Sequence, residues 1–237
     1  MNGDAVEETE DDAVWRWPGM AGAVLALVSM GYAHVTAGDA VDPMRNLVGD
    51  YALLDAGAWA MTTGTIALAL GSVWTAYGLA RVDPARSAAA RVLFLAAALG
   101  LLLTAAFPAG SAPGAASIGG EIHRWSAAVV FTALPCAGWM LGRRFGRRSL
   151  PVVSVLSVAF LATFLAAHPG SAVSNLMDGA DYYGLVERLL LLTDMTLVFL
   201  AARGLNGRTH EGARLPFQPR PGAGAAVPAP RAPASAP

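Results

Sequence analysis

Charge is scarce in this chain. Charged residues make up 14% of its 237 positions, and lysine is absent, so all 16 basic residues are arginine. A soluble globular chain carries about 25% charged residues. So little charge cannot cover a soluble surface of this size. The 17 acidic residues bring the formal net charge to -1, which leaves no basic field for nucleic acid. Cysteine occurs once, as Cys136. That excludes a disulfide framework within the chain and any multi-cysteine metal centre. The phosphate-binding patterns GxxxxGKS and GxxxxGKT are missing, as are GxGxxG, the nucleophile pattern GxSxG and the zinc pattern HExxH. Nucleotide-driven chemistry therefore has no sequence support.

What the chain has instead is apolar length, with 55% hydrophobic residues. A helical span needs about 20 mostly apolar residues. Stretches of that kind run over Trp17–Thr36, Ala56–Ala80, Ala90–Phe107, Ile122–Leu141, Leu150–His168 and Leu185–Ala202. The runs are continuous and rich in Ala and Leu. A membrane β-barrel would alternate apolar and polar residues over roughly ten positions. The expectation is an all-α polytopic membrane protein, a bundle of six transmembrane helices over residues 16–203.

Arginine gives the direction. The loop after the second span holds Arg81, Arg86 and Arg91, and the loop after the fourth holds Arg143, Arg144, Arg147 and Arg148. Arg203, Arg208 and Arg214 follow the sixth, whereas the opposite loops carry only Arg45, Arg124 and Arg188. Arginine-rich loops stay in the cytoplasm, so both termini are expected there, in a multi-pass protein of the cell membrane. The acidic start and the length of the first apolar run do not fit a cleaved signal peptide. Aromatic rings near the span ends read as interface anchors. Trp15, Trp17, Trp74, Tyr77 and Trp139 fall at the inner level. Tyr32, Tyr51, Trp59, Trp125, Tyr182 and Tyr183 fall at the outer one.

Residues 1–15, acidic, and 204–237, rich in Pro and Ala, are expected to be disordered. Seven prolines lie between Pro216 and the end. Such segments bury too little apolar area to offset their ordering entropy.

Candidate chemistry gathers at the outer level. Glu187 and Arg188 open the sixth span, where Arg can snorkel and Glu suits the helix dipole. Turned inward, the pair closes a polar mouth. A buried ion pair needs further hydrogen bonds, and Asp50 or His123 is the expected partner. Asp194 lies on nearly the same helical face, seven residues or roughly 10 Å deeper. A carboxyl group at that depth is costly to ionise. It suggests a polar track along the helix, or a bond to Thr62 or Thr65 on a neighbour. His34, His123 and His168 share the outer level, and three imidazoles can hold a catalytic zinc. Only topology, not spacing, relates them. Cys136 follows Pro135, a residue expected to kink the fourth span. In the second span, Ala60-xxx-Gly64 and Ala67-xxx-Gly71 suit a close helix contact.

The motif set resembles the six-helix membrane family called domain of unknown function 998. The matching segments are GDYALLDAG at 49–57, FPAG at 107–110, GGEIHRWSAAVVF at 119–131 and GLVERLLLL at 184–192. With the hydropathy order they cover residues 18–203. The resemblance implies that Asp50, Tyr51, His123, Glu187 and Arg188 are family-type polar positions. The family pattern often has an acid after Phe-Pro, where this chain has Ala109 and Gly110. The all-arginine, alanine-rich composition suits the actinobacterial type.

Three functions fit these readings. One is binding of a lipid, isoprenoid or other amphiphile at an outward-facing polar mouth. A second is a membrane-embedded enzyme, with Asp194 or Glu187 as the acid and Arg188, His123 and Asp50 beside it. It would act on an apolar substrate as an acid-initiated cyclase or isomerase, or use the histidines as a metal-dependent hydrolase. The third is a component of a proton-coupled transporter. The expected partners are the bilayer and an amphiphilic ligand, with no nucleic acid and no cofactor.

Overall fold

Each apolar stretch forms one helix in the computed structural model, which describes residues 14–107 and 117–205. The helices are α1 (Arg16–Ala37), α2 (Asp55–Val82), α3 (Ala88–Ala106), α4 (Ile118–Phe145), α5 (Ser149–Ala167) and α6 (Tyr183–Arg203). Short 3-10 turns fill the loops, notably Val48–Leu53 between α1 and α2. Among the described residues there is no strand. The two segments expected to be disordered lie outside the described residues, apart from their inner edges. At one such edge, Leu205 is buried and packs over Gly78. Arg147 there donates to the Gly204 carbonyl at 2.8 Å.

The helix ends have local causes. Pro84 follows α2, and Pro169 holds His168 in an extended conformation that α5 cannot pass. Gly146 ends α4 at φ +65°, where a side chain would be strained. The start of α4 is capped by Ser117, whose hydroxyl accepts from Gly120 N at 3.0 Å. The helix runs uninterrupted through Pro135.

The helices pack in chain order around a ring, α1 on α2 and so on to α5 on α6. α6 closes the ring on α1 and also touches α2 and α4. The core is built from Phe94, Leu101, Leu134, Leu190 and Leu197 with many alanines. Apolar faces also point outward: Val24, Val28, Leu70, Leu99, Val152 and Val155 are all exposed. Only 22% of the most apolar window of α5 is buried inside the protein. Exposed apolar faces of this extent fit lipid, not water. The chain is an integral membrane protein.

Because lipid is as apolar as leucine, helix association there relies on close packing and small residues. The α1–α2 seam has this form. Gly19, Gly22, Ala26 and Ser29 face Gly64, Ala67, Gly71 and Thr75. A Cβ on Gly22 would stand 2.4 Å from the Ala67 carbonyl oxygen. The small-residue pattern of the second span thus marks a real contact.

Among the described residues five helices, α1 to α5, are long and apolar enough to cross a membrane. α6 has the length, about 31 Å at 1.5 Å per residue, but not the composition. Glu187, Arg188 and Asp194 interrupt its apolar run.

Candidate functional site

The loop from residue 41 to 54 lies across the end of the bundle where α1 and α2 meet α6. Its own polar groups shape it. Asn46 Oδ1 accepts from Asp42 N at 2.9 Å, and Asp42 Oδ1 accepts from Met44 N at 2.9 Å. Asp50 Oδ2 accepts from Leu47 N at 2.9 Å, at the start of the 3-10 turn. Asp50 therefore holds the loop's backbone.

The N-terminal turns of α6 pin this loop down. Leu185 N donates to the Met44 carbonyl at 3.1 Å. Glu187 Oε2 accepts from Val48 N at 2.5 Å. Arg188 Nη1 donates to the carbonyls of Asn46 (2.7 Å) and Gly184 (2.9 Å). Its Nη2 donates to the Tyr51 hydroxyl at 2.8 Å. Gly184 permits this approach, since a Cβ there would meet the Asn46 carbonyl oxygen at 2.1 Å. Glu187 also lies within electrostatic reach of Arg188 and of Asp50.

Tyr51 is the hub of this arrangement. It is fully buried and packs with Ala33, Val41, Val48 and Ala60. It is therefore not the interface anchor expected above. Burial of a phenol requires partners for its oxygen. Arg188 supplies one hydrogen, which leaves the hydroxyl's own proton for His34 Nδ1 at 2.8 Å. A chain of hydrogen bonds thus runs from His34 on α1, through Tyr51, to Arg188 on α6.

Glu187, Arg188, Asp50 and His34 are brought to this one place. His123 is not among them. Its Nδ1 pairs with the Phe107 carbonyl at 2.9 Å and ties the start of α4 to the end of α3. His168 Nδ1 accepts from Gly170 N at 3.0 Å, and its ring meets Tyr183 edge-on at 5.8 Å. The three histidines have three separate sets of partners. Among the described residues no group of three or more His, Cys, Asp or Glu is placed to hold a metal.

Asp194 is 1% exposed, and its Oδ1 accepts from Ser157 Oγ on α5 at 2.8 Å. Thr62 and Thr65 are not its partners. Thr65 instead donates to Met61 O in its own helix. Oδ2 of Asp194 is buried without a hydrogen-bond partner. Between Glu187 and Asp194 lie Leu190, fully buried, and Leu191. Both belong to the apolar packing, so the polar track expected along α6 is interrupted by leucine.

Directly below the Tyr51 hub is a small cleft of about 50 Å³ between α1, α2, α3 and α6. Met30, Met61, Leu191 and Met195 line it, with Ser29 and Thr65. Met30, Met61 and Leu191 also pack against the Tyr51 cluster. The residues that sequence reasoning missed are Asn46, Val48 and Ser157. The first two meet Arg188 and Glu187 through backbone atoms, which leave no trace in a sequence. Ser157 is one serine among several in α5.

A family model described as a protein of unknown function (DUF998) matches residues 20–204. No curated protein and no solved structure matches the chain.

Proposed function

The chain belongs to this DUF998 family, and we propose that it is a six-span membrane protein that takes the apolar chain of an amphiphile beneath its outer polar cap. In this reading α6 crosses the bilayer with the other helices and both termini are cytoplasmic. The arginine distribution supports that direction. Asp194 is enclosed by protein, and Glu187 and Arg188 engage the loop, so the charges of α6 need not face lipid.

The observation that carries the proposal is the vertical order of polar and apolar groups. His34, Tyr51, Glu187 and Arg188 form the cap. Met30 stands one turn below His34, and Leu191 stands one turn below Arg188. A polar head therefore meets the half-buried Arg188 and the exposed His34 at the mouth, while its chain enters a thioether-lined cleft. A water molecule needs roughly 10–15 Å³ of such space, so the cleft takes about four carbon-sized groups. That is the end of a chain, not a whole lipid. Methionine side chains are flexible and polarizable, so this lining can repack around a longer chain.

The test uses a long-chain fatty acid with a photoreactive diazirine at its apolar end, added to the purified full chain. Labelling at Met30, Met61 or Met195, reduced by Met195→Trp, supports the reading. Labelling confined to lipid-facing positions such as Val28 and Leu70 overturns it.

A second reading, acid catalysis inside the bilayer, is favoured by the unpartnered Oδ2 of Asp194. It requires a substrate to reach that oxygen, and Asp194 does not line the cleft. In this reading Asp194→Asn abolishes turnover and leaves amphiphile binding intact.

A further inference from the structure

The opposite end of the bundle holds a larger cleft. It has a volume of about 670 Å³ and lies between the α2–α3 turn and the end of α4. Arg86 lines one side, and Arg143 and Arg144 line the other. The floor is Ala88, Ala89 and Ala90, whose short side chains leave the space open. Ligand clefts typically measure about 300–1,000 Å³, so this one is large enough for a headgroup.

Its electrostatics are one-sided. Among the described residues, none of Arg86, Arg143 and Arg144 forms an ion pair with a carboxylate. Asp83, the acid closest to Arg86 in the chain, accepts from the Arg86 backbone N–H at 3.1 Å. Arg143 is held in place by Trp139, its guanidinium carbon 5.8 Å from the ring centre. The first turn of α3 adds to the field. Ser87 gives its hydroxyl to the Leu79 and Asp83 carbonyls. The first turn therefore has no side-chain cap, and its N–H groups add partial positive charge.

Arginine spread around a helix end would by itself express only topology. Here three arginines line one concavity, and that concavity also has an apolar wall of Trp139, Met140 and Leu141. A soluble anion has no use for the apolar wall, whereas a lipid occupies both halves. Basic pockets between helices on the cytoplasmic side suit anionic headgroups, and Arg pairs with phosphate through two parallel bonds.

We propose that the cleft formed by Arg86, Arg143 and Arg144 over residues 88–90 binds the anionic, phosphate-bearing headgroup of a cytoplasmic-leaflet lipid. This site is separate from the outer cleft, and neither proposal depends on the other's ligand.

The test is native mass spectrometry of the full chain in detergent, with phosphatidylglycerol or zwitterionic phosphatidylcholine added. Phosphatidylglycerol is retained over phosphatidylcholine. Arg143→Gln combined with Arg144→Gln weakens its retention about 30-fold, at about 1 kcal/mol per arginine. Ala89→Trp narrows the cleft at unchanged charge and also lowers retention. Arg203→Gln, an exposed arginine outside the cleft, has no effect. Excess inorganic phosphate leaves the lipid bound. The proposal is overturned by equal retention of the two lipids, or by normal retention in Ala89→Trp. It is overturned equally if Arg203→Gln matches the double variant, which would reduce the effect to surface charge. Displacement by inorganic phosphate would assign the site to a free anion and overturn the lipid.

Discussion

Arg188 Nη2 and the Tyr51 hydroxyl meet at 2.8 Å across 137 residues of chain. This bond joins the start of α6 to the loop between α1 and α2, and both partners have further bonds in the same cap. Removing the hydroxyl leaves an Arg188 donor and His34 Nδ1 without their partner. His34 is exposed and Arg188 half-buried, so water partly replaces the hydroxyl and the loss is that of a net hydrogen bond, about 0.5–1.5 kcal/mol. Tyr51→Phe is therefore expected to lower stability by that amount, read by thermal unfolding of the purified protein in detergent. Arg188→Gln also loses the Asn46 carbonyl and should cost more. The double variant should cost less than the two singles summed, because they share one bond. A Tyr51→Phe protein as stable as the parent would show that this bond carries no weight.

The α1–α2 seam gives a sharper steric contrast. A methyl group on Gly22 would press into the Ala67 carbonyl oxygen at 2.4 Å, and the backbone cannot move aside without parting the helices. Gly22→Ala is expected to destabilise by about 1–3 kcal/mol, the usual range for overpacking. Gly31 lies in the same helix, and a Cβ there meets nothing within 4 Å. Gly31→Ala should be neutral or stabilising by up to about 1 kcal/mol, since alanine is the better helix former. Unfolding in a denaturing detergent compares the two directly. Equal effects would mean that the seam is looser than its geometry.

Much of this fold is legible in the hydropathy of the chain, since burial in lipid imposes one long apolar run per helix. Each expected stretch falls on one of α1 to α6, to within one residue where it overruns the helix end. The largest difference is in α4, which extends four residues beyond the expected stretch at each end. Hydropathy stops at the first polar residue. The helix continues through the Ser117 cap on one side and through Arg143 and Arg144 on the other. The candidate site was less legible. Glu187, Arg188 and Asp50 stand out as charges beside apolar runs, and they do meet at one loop. Tyr51 reads as an interface ring because it falls in the loop just beyond the outer end of the first span. Its burial depends on α1 and α6 closing over it. Asp194 finds Ser157 because α5 is packed on α6, and neighbour order around a ring is not encoded in apolar periodicity.

The Ser157–Asp194 hydrogen bond joins α5 to α6 within the helical core, and the apolar run of α5 is the least buried among α1 to α5. Measured interhelical hydrogen bonds in membranes average about 0.6 kcal/mol, with a maximum near 1.7. Ser157→Ala should fall in that range. Asp194→Asn keeps an acceptor oxygen for Ser157 at nearly the same volume and should cost less than Ser157→Ala. Denaturing-detergent unfolding of both variants provides the check. If Asp194→Asn were far less stable than Ser157→Ala, the carboxyl group would have a structural partner other than Ser157.

The sixth crossing is the step on which composition and packing disagree, since α6 is excluded by its charges and yet packs on four other helices. Isolated in lipid, each ionisable residue costs about 2.5–3.5 kcal/mol at the centre of a span. Inside the bundle those costs are met differently. Glu187 and Arg188 bond the outer loop, and Asp194 is enclosed between α5 and α6. The helix should therefore cross. Cysteine labelling tests this after Cys136, which is exposed and unpaired, is replaced by alanine. Ala180 is exposed and serves as the outer position. An impermeant maleimide added to intact cells should label Ala180→Cys, and should reach Ala85→Cys and Arg203→Cys only after permeabilisation. Labelling of Arg203→Cys in intact cells would mean that α6 returns to the side from which it started.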